Sequence, residues 1–326
     1  MNITVLYNNP STEAYEEQDT KISADLVCKA LNENPEYKAK LLGITKDQAN
    51  IFQLPDTDFV FNIIEWSGID YIYGVTALGR LEDLAIPYSG CNKSAFETNS
   101  VKELMKAKFT ELNISTPKYQ IFDNDKIVNS LTYPLIVKLA NEHCSVALGQ
   151  KSVVTNDEEL KNKVVELQTK YKMPVLVEEF IDGDEVQVAI LEKDHLPWVL
   201  PPRVTRFKKA PGYWPMLSYE VKSIDNHWEW DMTGDDWGDM SDYSEKLQSQ
   251  IIELARRSFS EMGGRDYSRV DMRINKDCSQ AFVLEINHNP GLDWEEGNAL
   301  VSAAMKAGFK SFTELLTHIV SQSLTP

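Results

Sequence analysis

Near its C-terminus the chain reads GRDYSRVDMRINKDCSQAFVLEINHNPGL, and this stretch constrains the fold more than any other. Residues 268–274 and 281–286 are strand-like runs joined by a turn at 275–279. On a strand, side chains two apart leave from one face, so Glu285 and Asn287 point together and Asp271 on the paired strand can face them. Three oxygen donors then converge. Hard Mg²⁺ takes carboxylate and amide oxygens together with substrate phosphates, and a carboxylate such as Glu285 can bridge two ions. Ordinary surface alternation on a hairpin is the other reading of the same residues.

The 326 residues, 42% of them hydrophobic, can bury a sizeable core in two or three packed domains. The balance of 33 basic against 50 acidic residues, a formal charge of -17, repels nucleic acid and anionic membranes. Any bound phosphate therefore needs local positive charge. The N-terminus has no basic segment leading a long apolar run, and no stretch reaches the ~20 apolar residues of a bilayer span. A cytoplasmic protein with no membrane or nucleic-acid partner is expected. The cysteines, Cys28, Cys91, Cys144 and Cys278, form no CxxC pair, which argues against a zinc site or a disulfide framework.

Along the chain, residues 3–7 read as a buried strand and 22–31 as a helix, the start of an α/β unit. A second strand, 59–64, is followed by a helix at 75–84 that stops before Pro87. Residues 94–112 have one continuous helical pattern, and strands are expected at 135–139 and 175–180. The latter enters a turn at 182–184 and continues as 186–191, the pattern of an antiparallel hairpin. Residues 225–243, acidic and rich in tryptophan with little periodicity, read as a surface loop or lid.

Arg269, Val270 and Asp271, then Glu285, Ile286 and Asn287, then Asn289, Pro290 and Gly291 resemble the signature of ATP-grasp enzymes, in particular the D-alanine:D-alanine ligase family. Residues 86–90, IPYSG, look like that family's IPYTG segment, and MKAGF at 305–309 resembles the end of its C-terminal helix. The resemblance thus covers most of the chain in the family's order and spacing. It implies α/β and α+β parts in a three-domain ATP-grasp fold. These are an N-terminal Rossmann-like (pre-ATP-grasp) domain at 1–92, a central subdomain at 93–183 and a C-terminal subdomain at 184–326, with ATP between the last two. It further implies that Asp271, Glu285 and Asn287 bind two Mg²⁺ ions, for which Mn²⁺ can substitute. Arg269 would stabilise charge on the reacting carboxylate, and the Gly291 N–H would face the oxyanion. Family members are commonly dimers, so a homodimer is implied.

An ATP site in so acidic a chain needs cations aimed at the phosphates. The resemblance places Lys102, Lys138 and Lys222 there, although the family's MDK reads Ser100, Val101, Lys102 here. Residues 174–185, PVLVEEFIDGDE, resemble the stretch that holds adenine, which assigns the base edge to Glu178, Glu179, Phe180 and Ile181 and the ribose to Glu185. The alternative for these residues is an acidic surface turn. The family's glycine-rich lid reads Ala140 to Ala147 here, with His143 and Ala147 in glycine positions, so its backbone approaches less freely. Ser145 remains to donate to phosphate, and no nucleophilic role falls to Cys144.

The substrate positions depart from the family. Glu13 is retained in register, but Glu65 stands in place of a histidine that orients the first amino acid. A second carboxylate there suits a cationic or amine-rich substrate, and equally suits capping of the next turn. Cys144 and Ser223 match the serine and tyrosine that help that glutamate. The loop Leu292-Asp293-Trp294-Glu295-Glu296-Gly297 replaces a serine-bearing segment that receives a free carboxylate, for which a negative loop is a poor receptor. FNIIE at 61–65 and the segment 81–88 are nearer to a peripheral branch of the family. The expectation is an ATP-dependent carboxylate–amine ligase acting on small molecules other than two D-alanines. A nucleotide-binding protein without chemistry and an ATP-grasp kinase remain open as alternatives on the same fold.

Overall fold

The computed structural model describes residues 1–10, 15–124, 126–142, 147–224, 227–294 and 298–325, leaving out the side chains of 15–19, 222 and 223. The chain opens with β1 (Asn2–Asn8), α1 (Tyr15–Leu31), β2 (Lys38–Ile44), β3 (Phe59–Ile63) and α2 (Tyr71–Leu84). β1 lies between β2 and β3 and is parallel to both. A central parallel strand is covered on both faces, which is why β1 carries the continuous apolar run ITVLY rather than an alternation. Beyond α2, which ends on Ala85 in the left-handed region, Val60 donates to the Pro87 carbonyl and Ser89 to the Val60 carbonyl. The IPYSG segment is thereby laid along the edge of β3. It is anchored at Gly90, whose N–H donates to the buried Asp266 carboxylate at 2.7 Å.

Two helices follow, α3 (Lys93–Ser100) and α4 (Lys102–Glu111), where the periodicity at 94–112 predicts one. The break is at β-branched Val101, which is extended (φ -112°, ψ 105°), and the Lys102 N–H donates to the Ala140 carbonyl instead of back into α3. A four-stranded antiparallel sheet comes next, from β4 (Tyr119–Phe122), β5 (Leu135–Leu139), β6 (Val153–Val154) and, after α5 (Asp157–Tyr171), β7 (Val175–Glu179), in the order β4-β7-β5-β6. Asn156 caps α5 by accepting from the Glu159 N–H, and Leu160, Val164 and Leu167 turn one face of the helix onto the sheet.

The largest sheet is built from β8 (Glu185–Lys193), β9 (Leu196–Val199), β10 (Arg203–Phe207), β11 (Thr233–Trp237), β12 (Tyr267–Ile274) and β13 (Ala281–Asn287). Its order is β11-β10-β8-β12-β13, with β9 paired to β8. The short α6 (Tyr219–Ser223) precedes β11, α7 (Glu245–Glu261) packs on one face, and α8 (Ala299–Lys306) and α9 (Phe312–Leu324) pack on the other. Met105 and Phe109 of α4 join the cluster under α7, whereas α8 and α9 share a cluster with β1, β3 and α1. Among the described residues, no helix is long and apolar enough to cross a membrane.

Two further expectations are overturned. β7 and β8 do not form a hairpin but belong to different sheets. Between them the chain is pressed against the end of β12, where a Cβ on Gly183 would stand 2.0 Å from the Ile274 carbonyl oxygen. Arg273 then ties the Ile181 and Gly183 carbonyls, and the Ile274 N–H donates to Asp184. Within the acidic segment 225–243, of which 225 and 226 lie outside the described residues, β11 is an edge strand rather than loop. Its carboxylates are offset across the ladder: Asp235 by Arg203 and Thr205, Asp236 by Arg206.

Candidate active site

β12 and β13 pair with Arg269 opposite Asn287 and Asp271 opposite Glu285, so the carboxylates and the amide predicted to converge do share one face. Arg269 grips Asp271 with two hydrogen bonds, Nε to Oδ1 at 2.7 Å and a terminal nitrogen to Oδ2 at 2.9 Å. Lys102, at the first turn of α4, reaches Glu285 Oε2 at 2.6 Å. The helix break at Val101 is what turns this lysine, itself largely buried, toward β13. Asn287 Oδ1 accepts from the Asn289 N–H at 2.9 Å, which folds the strand end into the Asn289-Pro290-Gly291 turn. That turn is pinned by Asn298, whose Nδ2 donates to the Gly291 carbonyl at 2.8 Å while its Oδ1 caps α8. The sequence reading missed Asn298; an asparagine directly before a helical run is the signal for it.

This face forms one wall of a cleft of about 990 Å³, open part included, between the large sheet and the four-stranded sheet. Lys102, Lys138, Glu178, Asp271 and Glu285 line it, as do residues 179–181 and Glu185. Lys138 on β5 extends to Glu178 Oε2 at 2.8 Å. The other oxygen of Glu178 meets Lys106 Nζ at 2.6 Å, and both the Glu178 and Lys106 side chains are buried. Burial by itself would raise the Glu178 carboxyl, but Lys106 and then Lys138 outweigh it and hold it down at about 2. Lys106 moves the other way from a strengthened ion pair: burial lowers it, and Lys138 and Lys102 add repulsion that a single carboxylate does not cancel. The direction at Glu178 governs the pair, since two ammonium groups flank one carboxylate. Lys106 was not foreseen, although its place four residues after Lys102 puts it on the same helix face.

Glu178 thus meets the cleft through buried charge, beside its backbone. The Phe180 N–H donates to the Pro134 carbonyl, and the Phe180 ring lies under the Arg273 guanidinium at 5.0 Å. Glu185, assigned to ribose, is held by Arg273 at 2.8 Å and by the Leu217 N–H. Lys222 lies on α6 with its side chain outside the described residues, and Glu13, His143, Cys144, Ser145 and residues 295–297 also lie outside them. Glu65, just beyond β3, is held at its N–H by Asn8 and lines a second cleft together with Asn287.

Among the described residues no three His, Cys, Asp or Glu side chains gather as a metal cluster. Asp271 and Glu285, partly exposed in this cleft, and Asn287, which lines the second one, nonetheless make an oxygen set of the hard character that Mg²⁺ takes. Their present partners, Arg269 and Lys102, supply the positive charge that such an ion would share.

A cleft between two antiparallel sheets, with lysines from one side and paired carboxylates from the other, defines the ATP-grasp class. Residues 103–321, more than half of the chain, match the family described as D-ala D-ala ligase C-terminus, and the chain belongs to the D-alanine–D-alanine ligase-like family of ATP-grasp proteins. It is 30% identical to the uncharacterized protein y4sG of Sinorhizobium fredii over 80% of this chain and 73% of that one. To the D-alanine–D-alanine ligase of Aquifex aeolicus it is 29% identical over 76% and 77%. The D-alanine–D-alanine ligase of Bacillus anthracis has the same fold, with a TM-score of 0.77 at 22% identity over 99% and 97% of the two chains. So does the VanG D-Ala:D-Ser ligase of Enterococcus faecalis, at 0.73 and 19% over 99% of each.

Proposed function

We propose that the protein is an ATP-dependent carboxylate–amine ligase that works through an acyl phosphate. The observation that carries this reading is the direct opposition of Asp271 and Glu285 on β12 and β13, at the wall of a cleft whose other side presents Lys138. ATP would lie in that cleft, between the central and C-terminal parts, with its base against residues 178–181 and its phosphates toward Lys102, Lys138 and Lys222. Asp271, Glu285 and Asn287 would hold Mg²⁺, which supplies charge neutralisation at the transferring phosphoryl group. The substrate carboxylate takes the γ-phosphoryl group and ADP leaves. An amine then attacks the acyl carbon, and inorganic phosphate leaves with the bonding pair. Arg269 and the Gly291 N–H would stabilise the tetrahedral oxyanion, where negative charge develops. No enzyme nucleophile is needed.

Two features support substrates other than a pair of D-alanines. Glu65 brings negative charge where the family has histidine. Asp293, in the altered loop, accepts from Ser23 at 2.7 Å, and Trp294 stacks on Phe312, so the described part of that loop, 292–294, is built into the fold around a carboxylate. The test is Mg²⁺-dependent ADP release across L- and D-amino acids, dipeptides and amines, singly and in pairs, with mass detection. ADP together with a new amide for one pair is the expected result. A phosphorylated product formed without any amine would replace the ligase by a kinase, and ATP binding with no turnover on the whole panel would replace it by a non-catalytic nucleotide-binding protein.

A further inference from the structure

Where β8 and β12 pair, Gln187 stands opposite Asp271 and Glu185 opposite Arg273. Residues two apart leave a strand on one face, and all four of these line the cleft between the two antiparallel sheets. Val186 and Met272, between them, belong to the core under α7. Arg273 is almost fully buried, and a buried guanidinium has to be met by acceptors. Its Nε donates to the Ile181 carbonyl at 2.7 Å and one terminal nitrogen to the Gly183 and Pro215 carbonyls at 2.6 Å each. The other terminal nitrogen donates to Glu185 Oε1 at 2.8 Å. The rings of Phe180 and Phe207 lie 5.0 and 5.7 Å from the guanidinium carbon, so the group is fixed in its plane as well as at its edges.

The bond to Glu185 does more than tie two strands. The Leu217 N–H donates to the same oxygen, Oε1, at 3.2 Å, and the bond from Arg273 to Pro215 holds the segment that N–H comes from. Gln150 clasps that segment from the side of the four-stranded sheet. Its amide donates to the Trp214 carbonyl and accepts from the Trp214 N–H, while the Trp214 ring meets Phe180 edge-on. Two donors on Oε1 fix the orientation of the carboxylate. Among the described residues no hydrogen bond ends on Oε2, and the Glu185 side chain, which lines the cleft, stays 17% exposed. The charge is offset at the same time. A bare carboxylate would repel the phosphates of a nucleotide in this cleft, whereas one paired with a guanidinium keeps an oxygen that accepts from a neutral hydroxyl.

We propose that Arg273 is a positioning residue for the sugar of the nucleotide: it presents Glu185 Oε2 to a ribose hydroxyl, and so makes the cleft select a ribonucleotide over one without sugar hydroxyls. The proposal rests on the reading that ATP occupies this cleft with its ribose at Glu185, and the experiment separates the two. It is calorimetry on the full chain with Mg²⁺, comparing ADP with 2′,3′-dideoxy-ADP, which keeps the base and phosphates and lacks both hydroxyls. The wild-type chain is expected to bind ADP roughly tenfold or more tighter, about 1.4 kcal/mol. Arg273→Met keeps the apolar contact with the two rings and removes every donor. It should bring the ratio below about threefold, chiefly by weakening ADP. Arg273→Gln, whose shorter amide cannot span the same oxygens, should do likewise and keeps the test available if the first variant does not fold. A loss of affinity shared equally by both nucleotides, with the ratio unchanged, would make Arg273 a joint between the sheets and nothing more, and overturns the proposal. Glu185→Ala tells which idea has failed. A preference lost in Glu185→Ala but kept in both Arg273 variants sinks the proposal alone. No preference in the wild type, or one that survives Glu185→Ala, removes the ribose assignment and the proposal with it.

Discussion

At the scale of single residues, Glu178 carries the charge balance of the cleft between the two antiparallel sheets. It neutralises one buried lysine and steadies another that faces the cleft, so its removal strands Lys106 and Lys138 close together. Glu178→Gln is expected to cost roughly 3–5 kcal/mol in denaturant unfolding, the range for breaking a buried pair from one side. A cost below about 1 kcal/mol would mean that the lysines are not held as described. The carboxyl is depressed in the folded state from its ordinary 4.5 to about 2. Its contribution is therefore complete above the unfolded value and is lost as pH falls from about 4.5 through about 2. Wild type minus Glu178→Gln stability should shrink across that window and stay flat above it. None of this was legible in sequence, because a helical lysine and a strand glutamate 72 positions apart announce neither burial nor pairing.

The elements tell a different story about legibility. β12 and β13, with their turn, could be read directly, since a period of two and a polar triad fix both the strands and the face they share. β1 and β3 were equally plain as short apolar runs. The α3–α4 break was not, because Val101 fits a helical pattern and only the long-range bond from Lys102 to Ala140 reveals its extended backbone. The same limit explains the false hairpin. DGD is a good turn sequence, but Gly183 serves close approach to β12 rather than chain reversal. Gly183→Ala is accordingly expected to destabilise by about 1–3 kcal/mol, because the added Cβ meets backbone that cannot rotate away. An unchanged midpoint of thermal unfolding would show that the two sheets are not joined as tightly as the structure has them. β11 was missed because its aspartates have low strand propensity and pair with Arg203 and Arg206, which are distant in sequence.

For the whole molecule, the consequence is that the four-stranded sheet and the largest sheet meet at one cleft while hydrophobic cores run across the boundaries between sheets. One cluster ties β1 and α1 to α8 and α9, and another ties α4 to the sheet that bears Asp271 and Glu285. Lysines from α4 and β5 and carboxylates from β12 and β13 are thereby held around one cleft by rigid elements, as electrostatic preorganisation requires. The central claim is that this cleft activates a carboxylate by phosphorylation before an amine attacks. The measurement that tests it most directly uses the carboxylate substrate labelled with ¹⁸O in both oxygens, with mass analysis of the phosphate released on amide formation. One labelled oxygen in each inorganic phosphate is predicted, and Glu285→Gln should lose most of that signal while the protein still folds. Unlabelled phosphate accompanying amide formation would contradict the acyl-phosphate route, and near-normal turnover by the variant would contradict the metal-binding role assigned to Glu285.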